Sequence, residues 1–123
     1  MRIRGFTMIE LMVALAILAM ILTVAAPKYF GNLDATKESV LREDLYIMRN
    51  AIDKYFTDHG RYPDSLKDLV TQRYLRAVPT DPFTLSPNSW VVTAPPDATL
   101  GAAYDVHTSA TGKARDGTWY KDW

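Results

Sequence analysis

The chain opens with a long apolar run that is interrupted by a single charge. From Phe6 to Ala26 the only charged residue is Glu10, and Thr7 and Thr23 are the only other polar residues. As an α-helix this run would be about 31 Å long, because each residue adds about 1.5 Å. That length matches the hydrocarbon core of a bilayer, so the pattern predicts a membrane-spanning helix over residues 6–26.

The pattern becomes amphipathic beyond Pro27. Apolar residues recur at spacings of three or four, with charged residues between them, at Leu41, Leu45, Met48, Ile52 and Tyr55, and Phe56 lies beside them. This period predicts a helix with one apolar face. Gly60 and Pro63 are typical of a helix end, so we expect one helix from Thr7 to His59, with a kink or a melted stretch at Pro27. The aromatic residues of this helix are expected to serve in ordinary packing: Tyr29, Phe30, Tyr46, Tyr55 and Phe56.

The C-terminal half has the pattern of several short elements. Residues 65–68 (SLKD) have the capping-box pattern and predict a short helix through Val70. Residues 90–93 (WVVT) and 103–107 (AYDVH) are the best strand candidates, separated by turn-forming residues. We therefore predict an α+β fold in which a small antiparallel sheet packs on the apolar face of the long helix. The predicted divisions are residues 1–5, 6–26, 27–59 and a head of residues 60–123.

Composition narrows the classes of function. The chain has 14 basic and 14 acidic residues, which are interspersed, so no basic stripe suggests a nucleic-acid partner. It has no cysteine, which excludes a disulfide or a cysteine zinc site. Its two histidines belong to no zinc pattern, and no glycine-rich phosphate loop or nucleophile elbow is present. We therefore expect a protein that is not an enzyme.

Three other readings of the apolar run compete with a functional membrane helix. A buried core helix is disfavoured because the remaining chain is too small to surround it. A secretory signal peptide cleaved after Ala26 has suitable small residues at 24–26, but its apolar core is usually only about 7–15 residues long. A plain membrane anchor would show the same apolar run, and only Glu10 distinguishes the two, because an anchor gains nothing from a carboxylate in the membrane. Arg2 and Arg4 precede the run, so we expect the N-terminus on the cytoplasmic side and the chain beyond Pro27 outside.

Glu10 is the informative residue of the run. A carboxylate at the centre of a span costs about 2.5–3.5 kcal/mol, and less near its end, so its presence indicates a function and a positively charged partner. Cleavage of the chain after Gly5 would create such a charge, because it would release the α-amine of Phe6 four residues away. Within one helix that amine is near the acid, and between subunits it could set their axial register.

The segment 5–11 (GFTMIEL) resembles the cleavage and methylation motif of type IV prepilins and type II secretion pseudopilins. The resemblance implies that residues 1–5 are a prepilin leader, which a prepilin peptidase removes after Gly5. It also implies that Phe6 is then N-methylated and that Glu10 pairs with the Phe6 amine of a neighbouring subunit during assembly. Pro27 lies where the family has its helix proline, which suggests a role in assembly.

A narrower resemblance covers the head. The run Gly60–Pro63, a short helix, Tyr74-Leu75, Val78-Pro79 and Asp81-Pro82 resembles the head of the major (G-type) pseudopilin of type II secretion. That implies a structural subunit of a helical pseudopilus that serves protein secretion across the outer membrane. It also implies a single-pass inner-membrane protein with a periplasmic head, which works with minor pseudopilins and an inner-membrane assembly platform.

Two alternatives stay open at this point. One is the major subunit of a surface type IV pilus or competence pilus. The other is an anchored monomeric binding module whose head recognises a ligand outside the membrane.

The resemblance also raises the question of a calcium site. Pseudopilins of this type often bind calcium in a C-terminal loop rich in aspartate, but here Thr111 stands where an aspartate is expected. The Thr108 carbonyl, the Thr111 hydroxyl and Asp116 are the candidate ligands, whereas calcium takes six to eight oxygens and usually several carboxylates. A turn without an ion is the alternative. We expect the aromatic residues at 119, 120 and 123 to close this loop onto the head.

Overall fold

A computed structural model describes residues 2–123 of the protein. Its elements are the helices α1 (Met8–His59) and α2 (Leu66–Thr71), the strands β1 (Val91–Thr93) and β2 (Asp105–His107), and the 3-10 helices Ala98–Leu100 and Tyr120–Asp122. The two strands form one antiparallel sheet. The predicted α+β fold, a long N-terminal helix with a small antiparallel sheet, is confirmed.

Local signals in the sequence account for both ends of α1. At its start, the Thr7 hydroxyl oxygen accepts a hydrogen bond of 3.2 Å from the Glu10 backbone N–H, which satisfies a helix donor that would otherwise have no partner. At its end, Gly60 adopts φ +69°, and its N–H donates to the Phe56 carbonyl at 2.8 Å. The predicted bounds are therefore correct to within one residue.

Pro27 does not interrupt α1, so the predicted melted stretch is absent from this structure. Proline removes only one N–H donor from the helix, the one that would bond to the Thr23 carbonyl. The Thr23 hydroxyl meanwhile donates to the Met20 carbonyl at 2.7 Å.

The chain divides into two compact units, one ending at Ala35 and one spanning Thr36–Trp123. In the first unit, every large apolar side chain from Met8 to Val24 is more than half exposed. Among residues 2–123, α1 is the one helix long and apolar enough to cross a membrane. The predicted divisions after residues 5, 26 and 59 were placed by processing, membrane topology and the end of the helix rather than by compactness, and they stay predictions.

The core of the second unit lies on the predicted apolar face of α1. Leu41, Leu45, Met48 and Ile52 are at most 2% exposed. They form one cluster with residues of α2, β2 and the C-terminal segment, among them Leu69, Val106, Ala114 and Tyr120. Burying this apolar surface is the main favourable contribution to the stability of the unit.

The expected packing of the α1 aromatics is only partly correct. Tyr55 packs on the core, and Phe56 stacks on Tyr62 with 4.4 Å between ring centroids. Tyr29, Phe30 and Tyr46, in contrast, are more than 60% exposed. Tyr46 directly follows Leu45 and therefore points about 100° away from the buried face of the helix.

The capping box predicted for α2 is wrong in its detail, although the helix itself is confirmed. The Ser65 side chain makes no capping hydrogen bond. The second hydrogen bond of a capping box, from a backbone N–H to the acidic side chain, involves the residue before Ser65: the Asp68 carboxylate accepts from the Asp64 backbone N–H at 3.0 Å.

Both predicted strands exist but are shorter than predicted. They pair Val91 with His107 and Thr93 with Asp105. Trp90 lies outside the ladder, and its buried indole donates to the Pro79 carbonyl at 2.8 Å. Ala103 also leaves the ladder, because its N–H donates to the Pro63 carbonyl at 2.8 Å.

A buried carboxylate lies behind the loop that follows α2. Asp81 is fully buried and accepts hydrogen bonds from the backbone N–H groups of Phe83 and Thr84 and from the Thr108 hydroxyl. Burial raises the pKa of the neighbouring Asp44, and the negative charges of Asp81 and Glu43 raise it further.

We expect Gly101→Ala to destabilise the head by about 2–4 kcal/mol, as a sum of backbone strain and overpacking. Gly101 has φ +124°, and an added Cβ would lie 2.2 Å from the Tyr62 carbonyl oxygen. Gly60→Ala is the control, because Gly60 also has a positive φ but has nothing within 4 Å of the added atom. It should cost about 1–2 kcal/mol. Thermal unfolding of both variants measures the difference, and equal losses would contradict the predicted clash.

We expect Asp44→Asn to raise the melting temperature by a few degrees at neutral pH. The pKa of Asp44 is higher in the folded protein than in the unfolded chain, so the protein is most stable below the ordinary aspartate pKa and loses stability as the pH rises through the folded-state pKa. Asparagine does not ionise, so the variant does not lose this stability. The advantage should therefore shrink below about pH 4, where the aspartate is protonated. The exposed Asp53→Asn is the control, and an equal gain from it would argue against this cause.

Candidate processing and assembly site

The proposed cleavage bond lies in a segment without regular structure. Residues 2–7 precede α1 and are exposed, and Phe6 is 85% exposed. An atom added at the Cα of Gly5 would find nothing within 4 Å. The bond between Gly5 and Phe6 is therefore accessible and unencumbered, as a proteolytic site requires.

Glu10 lies in the first turn of α1, three residues after Thr7. The backbone N–H of Glu10 bonds to the Thr7 side chain, and the Leu11 N–H donates to the Thr7 carbonyl at 3.1 Å. A negative charge in the first turn is also favourable next to the positive end of the helix dipole. Glu10 thus has a local role at the helix start, which our sequence reasoning overlooked. The Thr-x-x-Glu spacing, a capping box, was the available signal.

The structure does not bring Glu10 together with a cation. Within residues 2–123, none of the ion pairs involves Glu10. In the uncleaved chain the nitrogen of Phe6 belongs to a peptide bond and carries no charge. The pairing of Glu10 with a Phe6 amine, the cleavage and the N-methylation therefore stay predictions, as does an assembly role for Pro27, which is exposed within α1.

The side chains of two of the residues predicted to bind calcium, Thr108 and Asp116, are engaged with other groups, although the atom predicted for Thr108 was its carbonyl oxygen. The Thr108 hydroxyl is buried, donates to Asp81 and accepts from the Ala110 N–H at 3.1 Å. Asp116 Oδ1 accepts from the N–H and the hydroxyl of Thr118, at 3.0 and 2.6 Å. These bonds are the main reason that the pKa of Asp116 lies below its ordinary value.

Other features of this loop also differ from a calcium site. Thr111 is exposed, and the other Asp116 oxygen lies 3.6 Å from the Arg42 guanidinium. The part of the chain that the structure describes holds no cluster of three or more His, Cys, Asp or Glu side chains placed for a metal. The residues present therefore fit calcium poorly, and the predicted site remains untested.

The aromatic residues do close the loop, as expected, but unequally. Tyr120 is buried in the core and contacts the Phe83 ring at 4.3 Å and the Trp123 ring at 5.1 Å between centroids. Trp119 stays 44% exposed and lies under the Lys113 ammonium, 4.7 Å from its ring centroid.

Comparison with known proteins identifies the N-terminal segment. The family described as the prokaryotic N-terminal methylation motif matches residues 1–26. This match contains the segment 5–11 and the apolar run that follows it. The prepilin methylation motif expected from the sequence is therefore confirmed. No solved structure matches the chain.

Comparison with curated proteins extends the likeness beyond the N-terminus. The type II secretion system core protein G of Pectobacterium carotovorum is 32% identical over 98 residues, which cover 67% of this chain and 63% of that protein. The protein of the same name from Klebsiella pneumoniae is 31% identical over 98 residues, covering 67% of this chain and 70% of its own. The one from Vibrio cholerae is 29% identical over 136 aligned positions, covering 94% and 90%. With the methylation motif at its start and these relatives along its length, the chain belongs to the family of type II secretion system core protein G, the major pseudopilins.

Proposed function

We propose that the protein is a structural subunit of a helical pseudopilus that serves type II protein secretion, and that it is not an enzyme. One observation carries the proposal: a methylation motif leads directly into the first part of α1, where every large apolar side chain from Met8 to Val24 is more than half exposed. Such a surface is costly in water and needs a cover. Lipid covers it before assembly, and the helices of neighbouring subunits cover it in the filament.

Processing supplies the charge that assembly uses. A prepilin peptidase hydrolyses the bond between Gly5 and Phe6, which leaves a carboxylate on Gly5 and a free amine on Phe6. That amine, once N-methylated, still carries a positive charge at neutral pH. It neutralises the Glu10 carboxylate of a neighbouring subunit in surroundings where an unpaired charge is costly.

The ion pair contributes register more than net stability. The desolvation of two charges offsets much of their attraction, whereas leaving one charge unpaired is strongly unfavourable. Subunits that add at the wrong height would leave both charges unpaired. The pair therefore favours one axial position for each incoming subunit along a helix that otherwise offers only apolar contacts.

The surroundings of the subunit follow from its charge pattern. Arg2 and Arg4 hold the leader at the cytoplasmic face of the inner membrane, and the chain beyond the span is periplasmic. The partners are further copies of the chain, the prepilin peptidase, minor pseudopilins and an inner-membrane assembly platform. The names of the relatives favour secretion over a surface or competence pilus. Fibres recovered by shearing cells at native expression would instead favour the surface pilus.

We expect the mature protein from its own host to begin with N-methylated Phe6. Mass spectrometry of the intact chain and of its N-terminal peptide measures this directly. A chain that still starts at Met1, or one cleaved after Ala26, would contradict the proposal and favour an anchored binding module or simple secretion.

We expect Glu10→Gln to insert into the membrane normally but to lower the yield of assembled filament at least about tenfold. Removing one partner of a buried ion pair costs about 3–5 kcal/mol, and each 1.4 kcal/mol is a factor of ten. Cross-linking of subunits in membranes and electron microscopy of fibres measure the yield.

Glutamine keeps the helix start intact, because Thr7 bonds to the backbone N–H of residue 10 rather than to its side chain. The exposed Glu43→Gln in the second unit is the matched control and should assemble normally. Normal filaments from Glu10→Gln would refute the Phe6–Glu10 pairing.

A further inference from the structure

Charged side chains on one face of α1 hold the C-terminal segment, which we define as residues 105–123. Arg49 is the first of them. Its Nε donates to Asp105 Oδ1 at 2.8 Å, and its Nη2 donates to the Val106 carbonyl at 2.9 Å and to the Trp123 carbonyl oxygen. One guanidinium thus joins the beginning of the segment to its end.

Arg42 contacts the same segment two turns closer to the N-terminus of α1. Its guanidinium lies 4.0 Å from the centroid of the Trp123 ring and 3.6 Å from Asp116 Oδ2. Both the Arg42 and the Asp116 side chains are more than half exposed. This contact is therefore screened by water and contributes little by itself.

Glu38, one turn further, is the buried member of this group. It is 8% exposed, and its carboxylate receives three hydrogen bonds from the C-terminal segment. Oε1 accepts from the Arg115 backbone N–H at 2.9 Å and from the Tyr120 hydroxyl at 3.0 Å, and Oε2 accepts from Arg115 Nε at 3.3 Å. A single carboxylate therefore fixes two points of the C-terminal segment, of which Arg115 lies in the loop that the family resemblance assigned to calcium.

The charge of this loop is balanced within the chain. A calcium ion would be held by several carboxylates, but here the loop contributes a guanidinium, Arg115, to a carboxylate of α1. The positive charge that a cation would bring is thus already present as a side chain. The Asp116 carboxylate accepts a hydrogen bond from the Thr118 hydroxyl, and the Thr108 hydroxyl donates one to Asp81.

We propose that Glu38 is the latch that closes the C-terminal segment onto α1, and that Arg115 makes this closure independent of calcium. The inference concerns the folded head itself and does not depend on filament assembly.

The electrostatics of Glu38 agree with this geometry. Burial by itself raises the pKa of the Glu38 carboxyl, but hydrogen bonds from the Arg115 backbone, the Tyr120 hydroxyl and the Arg115 guanidinium outweigh it. The pKa therefore lies below its ordinary value. The carboxylate is the form that the surrounding donors stabilise.

The test is thermal unfolding of the full-length chain in detergent, followed by tryptophan fluorescence, in calcium chloride and in EGTA. We expect the wild-type melting temperature to be the same in both. Glu38→Gln keeps the shape of the side chain but loses its charge, and it should lower the melting temperature by about 5 °C or more in both conditions. The exposed Glu43→Gln is the matched control and should melt like the wild type.

A second readout reports on the segment alone. Trypsin cleavage after Lys113, detected by mass spectrometry, should be several-fold faster in Glu38→Gln than in Glu43→Gln, because the latch no longer holds the loop. If Glu38→Gln is not recovered folded, the Arg115→Gln variant tests the proposal in its place. Its side chain is 62% exposed, so its loss spares the core, and it should melt a few degrees below the matched control Arg76→Gln.

Two results would overturn the proposal. One is a wild-type melting temperature that rises with calcium, which would mean that a metal closes the loop. The other is a pair of variants, Glu38→Gln and Arg115→Gln, that melt and are cleaved like their controls.

Discussion

A single helix with two different surfaces is the constraint on which the rest of this protein depends. In its first part α1 is apolar on all sides, and from Val24 back to Met8 no large side chain is more than half buried. In its second part the same helix carries one apolar face, on which the whole core of the head assembles. The first surface requires partners from outside the chain, whereas the second is satisfied within it.

Two glutamates of α1 illustrate this difference. Glu10 lies in the apolar part and makes no ion pair within residues 2–123, and in the function that we propose its partner comes from another chain. Glu38 lies in the head and is fully provided with donors from a segment of the same chain. Both obey the same rule, that a carboxylate removed from water must be paired or hydrogen-bonded. In the proposed filament the partner of Glu10 is supplied by assembly, whereas the donors to Glu38 are supplied by folding.

The C-terminal segment has little regular structure and still has a defined position. Its strand β2 spans only Asp105–His107, and its 3-10 helix spans only Tyr120–Asp122. Side-chain contacts with α1 and the buried Tyr120 join the segment to the head. The segment has no disulfide, and hydrogen bonds from Arg49 and to Glu38 of α1 hold it in place. A small head of this kind has a limited core, so contacts of this type matter more than they would in a larger domain.

The sequence by itself determined the features that repeat locally along the chain. The apolar run, the three-to-four spacing of Leu41, Leu45, Met48 and Ile52, and the stop at Gly60 predicted α1 almost to the residue. Residues 5–11 identified the prepilin methylation motif. The capping role of Thr7 could also have been predicted from the sequence, although we predicted only a charge-pairing role for Glu10. Only the tertiary structure decided which charges are buried, because Glu38 and Arg115 are 77 residues apart and Asp81 and Thr108 are 27 apart. Contacts between such distant residues leave no period in a single sequence, and in that sequence Glu38 looks like any other charged position on a helix surface.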